Sequence, residues 1–354
     1  MASIPAQLAA IPRVPLLFPT PPPIESLGRL SAHLTDGGNN TSTKIFVKRE
    51  DANSGLGGGG GNKLRKLEYV LADALAQQPR PSRIVTEGGV QSNHVRQVAA
   101  AAAKLGFEAT LLINDLVRDR SGAADRHVSE SYNELGNVQL THLMSATHAA
   151  GKDKQEILQK DPESYWIPSG ASTHPLGGLG YARWAFEIEQ QEAEMGVHFD
   201  VVVVALMSGS TLGGMVAGFK LADQERANRG ETSQPRRLIG VLAGPKSIKD
   251  METLVLGIAN STADKIGVSK GHIVADDFVI DDRWHGGGYG QLDKKTKDGI
   301  KLAATKEGLV TDPVYSGKAL TGLCEMVRQG EVQGNVLFVH TGGIMSLSAY
   351  PDLR

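Results

Sequence analysis

The chain has 354 residues, with 37 Lys+Arg against 39 Asp+Glu, a formal charge of −2. That balance argues against nucleic acid as a partner, since a nucleic-acid binder would show a basic excess or stripe. With 40% hydrophobic and 21% charged residues, wholesale disorder is excluded, and no stretch approaches the ~18 apolar residues of a membrane span. The length suggests two domains or one large α/β unit. The single cysteine, Cys324, rules out an internal disulfide framework, a cysteine zinc site and an iron–sulfur cluster. It lies in an apolar helical run and reads as a buried small hydrophobe rather than a nucleophile. Residues 1–24 carry one charge, Arg13, and several prolines. They are expected to be neither signal nor transit peptide, which makes the cytoplasm the expected location.

In chain order, residues 15–23 are a proline-rich lead-in and residues 24–34 read as a short helix. Residues 36–43 form a polar loop, 44–48 a strand, and a glycine-rich loop runs up to Gly61. Helical spacing over 62–77 puts Leu64, Leu67, Val70, Leu71 and Leu75 on one face. A strand–helix alternation follows, with strands at 83–86, 109–113, 137–140 and 165–168. Helices are predicted at 91–105, closed by Gly106, and at 127–134, 152–160 and 177–195. The β-branched run 200–205 suits a strand buried on both faces of a parallel sheet. Beyond the glycine turn 208–214 come a helix, a strand at 238–242, helices at 296–307 and 317–328, and a last strand at 335–339. The alternation predicts an α/β fold of two open, mostly parallel twisted sheets flanked by helices. Ligands in such folds bind beyond the carboxyl ends of the strands.

Those ends carry the polar and glycine clusters. Ser208-Gly209-Ser210-Thr211 leads from a buried strand into a helix, where free N–H groups and the dipole suit a phosphate. Gly209 and Gly214 have Walker spacing, but Met215 and Val216 stand where Lys and Ser/Thr are required. Gly55-Leu56-Gly57-Gly58-Gly59-Gly60 satisfies GxGxxG, a weak signal that leaves a dinucleotide-dependent oxidoreductase as a remote alternative. Just after it, Lys63 stands in a first helical turn, where the dipole disfavours a cation. It is either a solvated surface lysine or an amine of lowered pKa, suited to joining an aldehyde cofactor. Lys66, one turn on, can reach an anion. Ser92 and Asn93 are good N-cap residues, and they also offer donors to a substrate carboxylate. His94 is either structural or catalytic. Tyr289 and Tyr315 each sit in a glycine-bounded loop, and Thr341 offers a neutral hydroxyl at the end of the last strand. The ten histidines show no metal-ligand spacing.

Together these segments resemble the fold-type II pyridoxal-phosphate enzymes, and within them the 1-aminocyclopropane-1-carboxylate (ACC) deaminase and D-cysteine desulfhydrase family. The likeness runs from about Pro21 to Tyr350. It rests on Lys48-Arg-Glu-Asp51, Gly61-Asn-Lys-Leu-Arg-Lys-Leu-Glu-Tyr69, Gln91-Ser-Asn-His94, Ser208-Gly-Ser-Thr211, Gly288-Tyr-Gly290, Asp312-Pro-Val-Tyr315 and His340-Thr-Gly-Gly343. The resemblance implies pyridoxal 5′-phosphate linked to Lys63. Its phosphate would be held by Ser208, Gly209, Ser210 and Thr211 with Lys66 and Asn93. Ser92, Asn93 and His94 would face the carboxylate of a small amino-acid substrate, and Tyr289 and Tyr315 its reacting carbons. Ser316 and Thr341 would lie near the pyridine nitrogen. It further implies a homodimer and a small domain, residues 67–176, inserted in a cofactor domain of residues 1–66 and 177–354.

ACC deaminases carry Glu at the position of Ser316, Gln at that of His94 and Leu at that of Thr341. The three residues present here lean toward the desulfhydrase branch, whereas the 208–211 turn is closer to the deaminase branch. Ser316 and Thr341 can only hydrogen-bond to the ring nitrogen, which weakens the electron sink, and a thiol leaves more readily than a cyclopropane opens. The first expectation is therefore α,β-elimination from D-cysteine to pyruvate, ammonia and sulfide. The alternative is ACC deamination to 2-oxobutanoate and ammonia.

Overall fold

The structure, a computed structural model, describes residues 4–36, 43–114, 130–149, 151 and 153–353. A one-turn helix α1 (Ala6–Ala9) precedes strand β1 (Ile24–Ser26), helix α2 (Gly28–Thr35), strand β2 (Lys44–Lys48) and helix α3 (Asn62–Ala76). The middle of the chain holds β3 (Arg83–Gly89), α4 (Asn93–Leu105), β4 (Glu108–Asn114), α5 (Glu130–Glu134), α6 (Asn137–Leu143), β5 (Thr147–His148), α7 (Lys154–Lys160) and β6 (Ser164–Ile167). The remainder supplies α8 (Leu179–Met195), β7 (Val201–Leu206), α9 (Ser210–Asn228), β8 (Arg237–Leu242), α10 (Ile248–Ile266), β9 (Val279–Asp281), α11 (Lys294–Glu307), α12 (Ser316–Arg328) and β10 (Asn335–Val339).

Two sheets result, as the alternation predicts. One has six strands in the order β1-β2-β10-β7-β8-β9, and the other four in the order β5-β4-β3-β6. Every pairing is parallel except β1 with β2. The valine run of β7 is buried on both faces. Val202 and Val204 join the cluster under α8, α9 and α10, while Val201 and Val203 join that of α2, α11 and α12. The apolar face predicted for α3 is buried against the four-stranded sheet, with Leu64, Leu67, Val70 and Leu71 in one cluster with Ile84, Val98 and Leu111. The boundary expected at residues 66 and 67 falls inside this helix.

Three readings of local pattern change. Residues 24–26 are a strand, held antiparallel by β2, and the helix begins only at Gly28. Residues 137–140 are helical, because the Asn137 backbone and side chain are tied to Gln91, a contact 46 residues away that no local window contains. Helix α10 is an addition, signalled by Ser247 capping Asp250 and by Gly267 in a left-handed C-cap. The 36–43 loop and the start of the 127–134 helix fall mostly outside the described residues. No helix among the described residues is long and apolar enough to cross a membrane.

Candidate active site

β10 lies between β2 and β7, so the strand order turns outward on either side of it, and the crevice at such a point is where open α/β sheets bind ligands. The turn after β7 and the turn after β10 line a cavity of about 440 Å³ there, together with the start of α3 and the turn joining β3 to α4. Lys63, Ser92, Asn93, His94, Ser208, Gly209, Thr211, Tyr289, Tyr315 and Thr341 all line it. Segments separated by up to 278 residues thus meet in one crevice. Lys66, Ser210 and Ser316 are fully buried and do not reach its wall.

The phosphate-type turn is built by conformation. Gly209 has φ +92°, a value a side chain would strain, and α9 starts directly after it, so that Ser208, Gly209 and Thr211 line the cavity at a helix N-terminus. Gly214 serves contact between helices: a Cβ there would lie 2.3 Å from the Gly178 carbonyl oxygen. This accounts for Walker spacing without a Walker lysine. The Ser210 hydroxyl lies 3.0 Å from that of Ser172, and Thr211 accepts a hydrogen bond from Asn62 at 3.0 Å. Lys66 is enclosed, with one long hydrogen bond of 3.3 Å to the Gly170 carbonyl. Burial, and then the nearby Lys63, push its ammonium well below the ordinary range. A buried cation so poorly matched, beside a helix N-terminus, suits a phosphate.

Lys63 opens α3 and donates to its neighbour Asn62 at 2.9 Å. Burial lowers its amine to about 8, against the opposing charge of Asp312. Its Nζ stands 5.9 Å from the centre of the Tyr315 ring. The Tyr289 and Tyr315 hydroxyls are 2.6 Å apart, and burial drives both phenols upward, Tyr289 to about 12. The pair is therefore neutral at pH 7, with one hydroxyl donating to the other.

Ser92 caps α4, accepting from the His94 and Val95 N–H groups. His94 Nε2 lies 2.8 Å from the Thr86 hydroxyl, which donates onward to the Ile167 carbonyl at 2.7 Å. Thr86 must then accept from His94, so Nε2 carries the proton and Nδ1 is a bare acceptor. Burial, then Lys63 and Lys66, hold this imidazole well below its ordinary value. It is neutral.

The far end of the cavity differs from expectation. The Ser316 hydroxyl bonds to the Asp312 carboxylate and, at 3.1 Å, to the Gly342 carbonyl, so the hydroxyl that lines the cavity there is that of Thr341. Asp312 also accepts from the N–H groups of Val314, Tyr315 and Ser316, which fastens the start of α12. Asn137, which the sequence pattern placed in a strand, donates to Asn93 Oδ1 at 2.8 Å and so turns the Asn93 amide N–H₂ the other way, toward Gly343. The 55–60 glycine loop is not a nucleotide loop. Arg96 threads it, donating to the carbonyls of Gly57, Gly59 and Gly60, so the site of the remote oxidoreductase alternative is filled by protein.

A crevice between two mostly parallel sheets, lined by a lysine of lowered pKa and by a glycine turn at a helix N-terminus, fits an α/β enzyme built around a phosphorylated aldehyde cofactor. Residues 16–342 match the profile of the pyridoxal-phosphate dependent enzymes. The chain is 41% identical over 362 residues to the 1-aminocyclopropane-1-carboxylate deaminase of Burkholderia vietnamiensis, covering 98% of each. It is 42% identical over 358 residues to that of Burkholderia cenocepacia, covering 97% of each. A solved ACC deaminase homologue superposes with a TM-score of 0.77 at 32% identity, covering 98% of this chain and 96% of the other. This chain belongs to the pyridoxal-phosphate dependent enzymes and, within them, to the ACC deaminase family.

Proposed function

We propose that the chain deaminates a small α-amino acid and that ACC is its first candidate substrate. The observation that carries this is identity above 40% along the whole chain to two named ACC deaminases. The elimination from D-cysteine, placed first on sequence grounds, becomes the second reading. One observation favours it: among the described residues Glu87 is the single carboxylate lining the cavity, and the Thr341 end offers a hydroxyl.

Ser208, Gly209 and Thr211, with the N–H groups opening α9, would hold the cofactor phosphate, and Lys66 behind the wall would add positive charge rather than a contact. Lys63 would hold the aldehyde carbon. The bound cofactor supplies an electron sink for negative charge at the substrate Cα. The Asn93 N–H at the start of α4 suits the substrate carboxylate, since those of His94 and Val95 are already taken by the Ser92 hydroxyl. Lys63, neutral above about pH 8, is placed to carry a proton. In the Tyr289–Tyr315 pair, one hydroxyl spends its proton on the other, which leaves the second free to give one to a reacting carbon. We also read the chain as a cytoplasmic homodimer, a reading the family resemblance supports; sedimentation at the mass of one chain would remove the dimer.

Purified protein should be yellow, and Lys63→Ala colourless. Incubated with ACC, it should release 2-oxobutanoate and ammonia. Release of pyruvate and sulfide from D-cysteine, with ACC untouched, would make the second reading the function. Turnover of neither would end both while leaving the cofactor assignment intact.

A further inference from the structure

Lys318 lies in the first turn of α12 with no exposed surface. A helix dipole disfavours a cation there, and a buried ammonium is costly unless its donors are met. All three are met by backbone. Nζ donates to the carbonyls of Ala243 at 3.1 Å, His285 at 2.7 Å and Gly288 at 2.7 Å. No carboxylate among the described residues forms an ion pair with it; Asp293 and Asp312 act only through space. The three carbonyls come from two pieces of chain. Ala243 closes β8, whereas His285 and Gly288 frame the glycine loop that carries Tyr289.

The buried Tyr289 ring meets that of Tyr315 edge-on, with centroids 5.7 Å apart, and at the strand ends it packs on backbone. Glycines flank it there: a Cβ at Gly89, the last residue of β3, would lie 3.1 Å from Tyr289 Cε1, and one at Gly244 would lie 3.4 Å from Tyr289 Cβ. Both glycines let backbone approach this side chain closely, so the ring stands where the loop backbone puts it, and Lys318 is a tie between that backbone and the end of β8.

We infer that Lys318 is a positioning residue: by tying the 285–288 backbone to the end of β8, it sets the Tyr289 hydroxyl against that of Tyr315. The inference rests on the reading of Tyr289 as facing the reacting carbons. An uncharged side chain of similar length would leave the three carbonyls without a shared donor and let the two hydroxyls part.

The test uses holoenzyme labelled with ¹³Cζ-tyrosine, the Tyr289 resonance being assigned by its loss in Tyr289→Phe. In Lys318→Met that resonance should move to the position it takes in Tyr315→Phe. Turnover should fall about 10²-fold, as for a misplacement near 1 Å, with KM unchanged. Lys318→Gln keeps two N–H donors and should recover part of the loss. In the Tyr289→Phe background, Lys318→Met should cost nothing further. A Tyr289 resonance unmoved by Lys318→Met, or losses that multiply in the double variant, would overturn the inference. Should Lys318→Met not fold, Lys318→Gln is read in its place by the same two criteria. If Tyr289→Phe alone turns over like the wild type, the functional reading of Tyr289 fails, while the resonance still decides the role of Lys318.

Discussion

Lys63 has two roles that pull against each other. A half-buried amine close to another lysine is a poor contributor to folding, yet that same burial brings it to about 8, where it carries both forms near neutral pH. The linkage has a definite sign. Between about 8 and its ordinary 10.5, the unfolded chain binds the proton that the folded chain has shed, so stability rises with pH across that window. In cofactor-free protein, Lys63→Met should therefore raise Tm at pH 7 and flatten that rise, as calorimetry at a series of pH values will register. A fall in Tm would mean that the amine is well solvated. Cys324 illustrates the opposite case. It is buried, its thiol is pushed by burial to about 12, and it stays inert, as its apolar neighbours in the sequence predict.

At the scale of the element, α3 decides the site, because it carries Lys63 and Lys66 while its apolar face is spent on the four-stranded sheet. Its other anchor is Arg65, whose guanidinium forks onto Glu50 and reaches Glu187. Lys48 joins Glu187 at 2.6 Å, and the Trp184 indole donates to Glu50. These charges are buried, so removing one partner strands another. Arg65→Ala should cost about 3–5 kcal/mol in urea unfolding. Arg65→Lys should recover little, because the planar fork is lost. Burial would raise the Glu187 carboxyl, but Arg65 and Lys48 hold it at about 2. Its contribution is complete above the ordinary 4.5 and fades as pH falls toward about 2, so acid unfolding of the wild type should weaken this clamp last. Within the Lys48-Arg-Glu-Asp51 segment, Lys48 and Glu50 face this clamp and neither lines the cavity.

Across the whole molecule, the cavity lies where the carboxyl ends of two sheets meet. β3 and its α4 turn supply Ser92, Asn93 and His94 from one sheet, and β7 and β10 supply the 208–211 turn and Thr341 from the other. A ligand held by both sides stabilises their contact by mass action. With free cofactor at a hundred times its Kd, the wild type should gain about 2.7 kcal/mol. Lys63→Ala, which loses the covalent hold, should gain less at the same concentration. Equal shifts in Tm for the two proteins would show that the lysine contributes nothing to retention.

Much of this architecture is legible in one dimension because its signals are local. A β-branched run buried on two faces, a glycine-capped alanine-rich helix, and serine and glycine at a strand end each act within a few residues. Hence the parallel sheets, the phosphate-type turn and the placement of Lys63 at a helix start could be read without coordinates. What the fold alone decided depends on atoms distant in sequence. Residues 137–143 are helical because Gln91 holds them, and Lys66 is depressed because the fold buries it beside Lys63. The Ser316 hydroxyl is taken by Asp312 and Gly342, which leaves Thr341 at the cavity. Local sequence sets backbone preference and hydrophobic period. Which hydroxyl faces a ligand, and which amine loses its proton, is set by burial and by partners that only the folded chain brings within hydrogen-bonding distance.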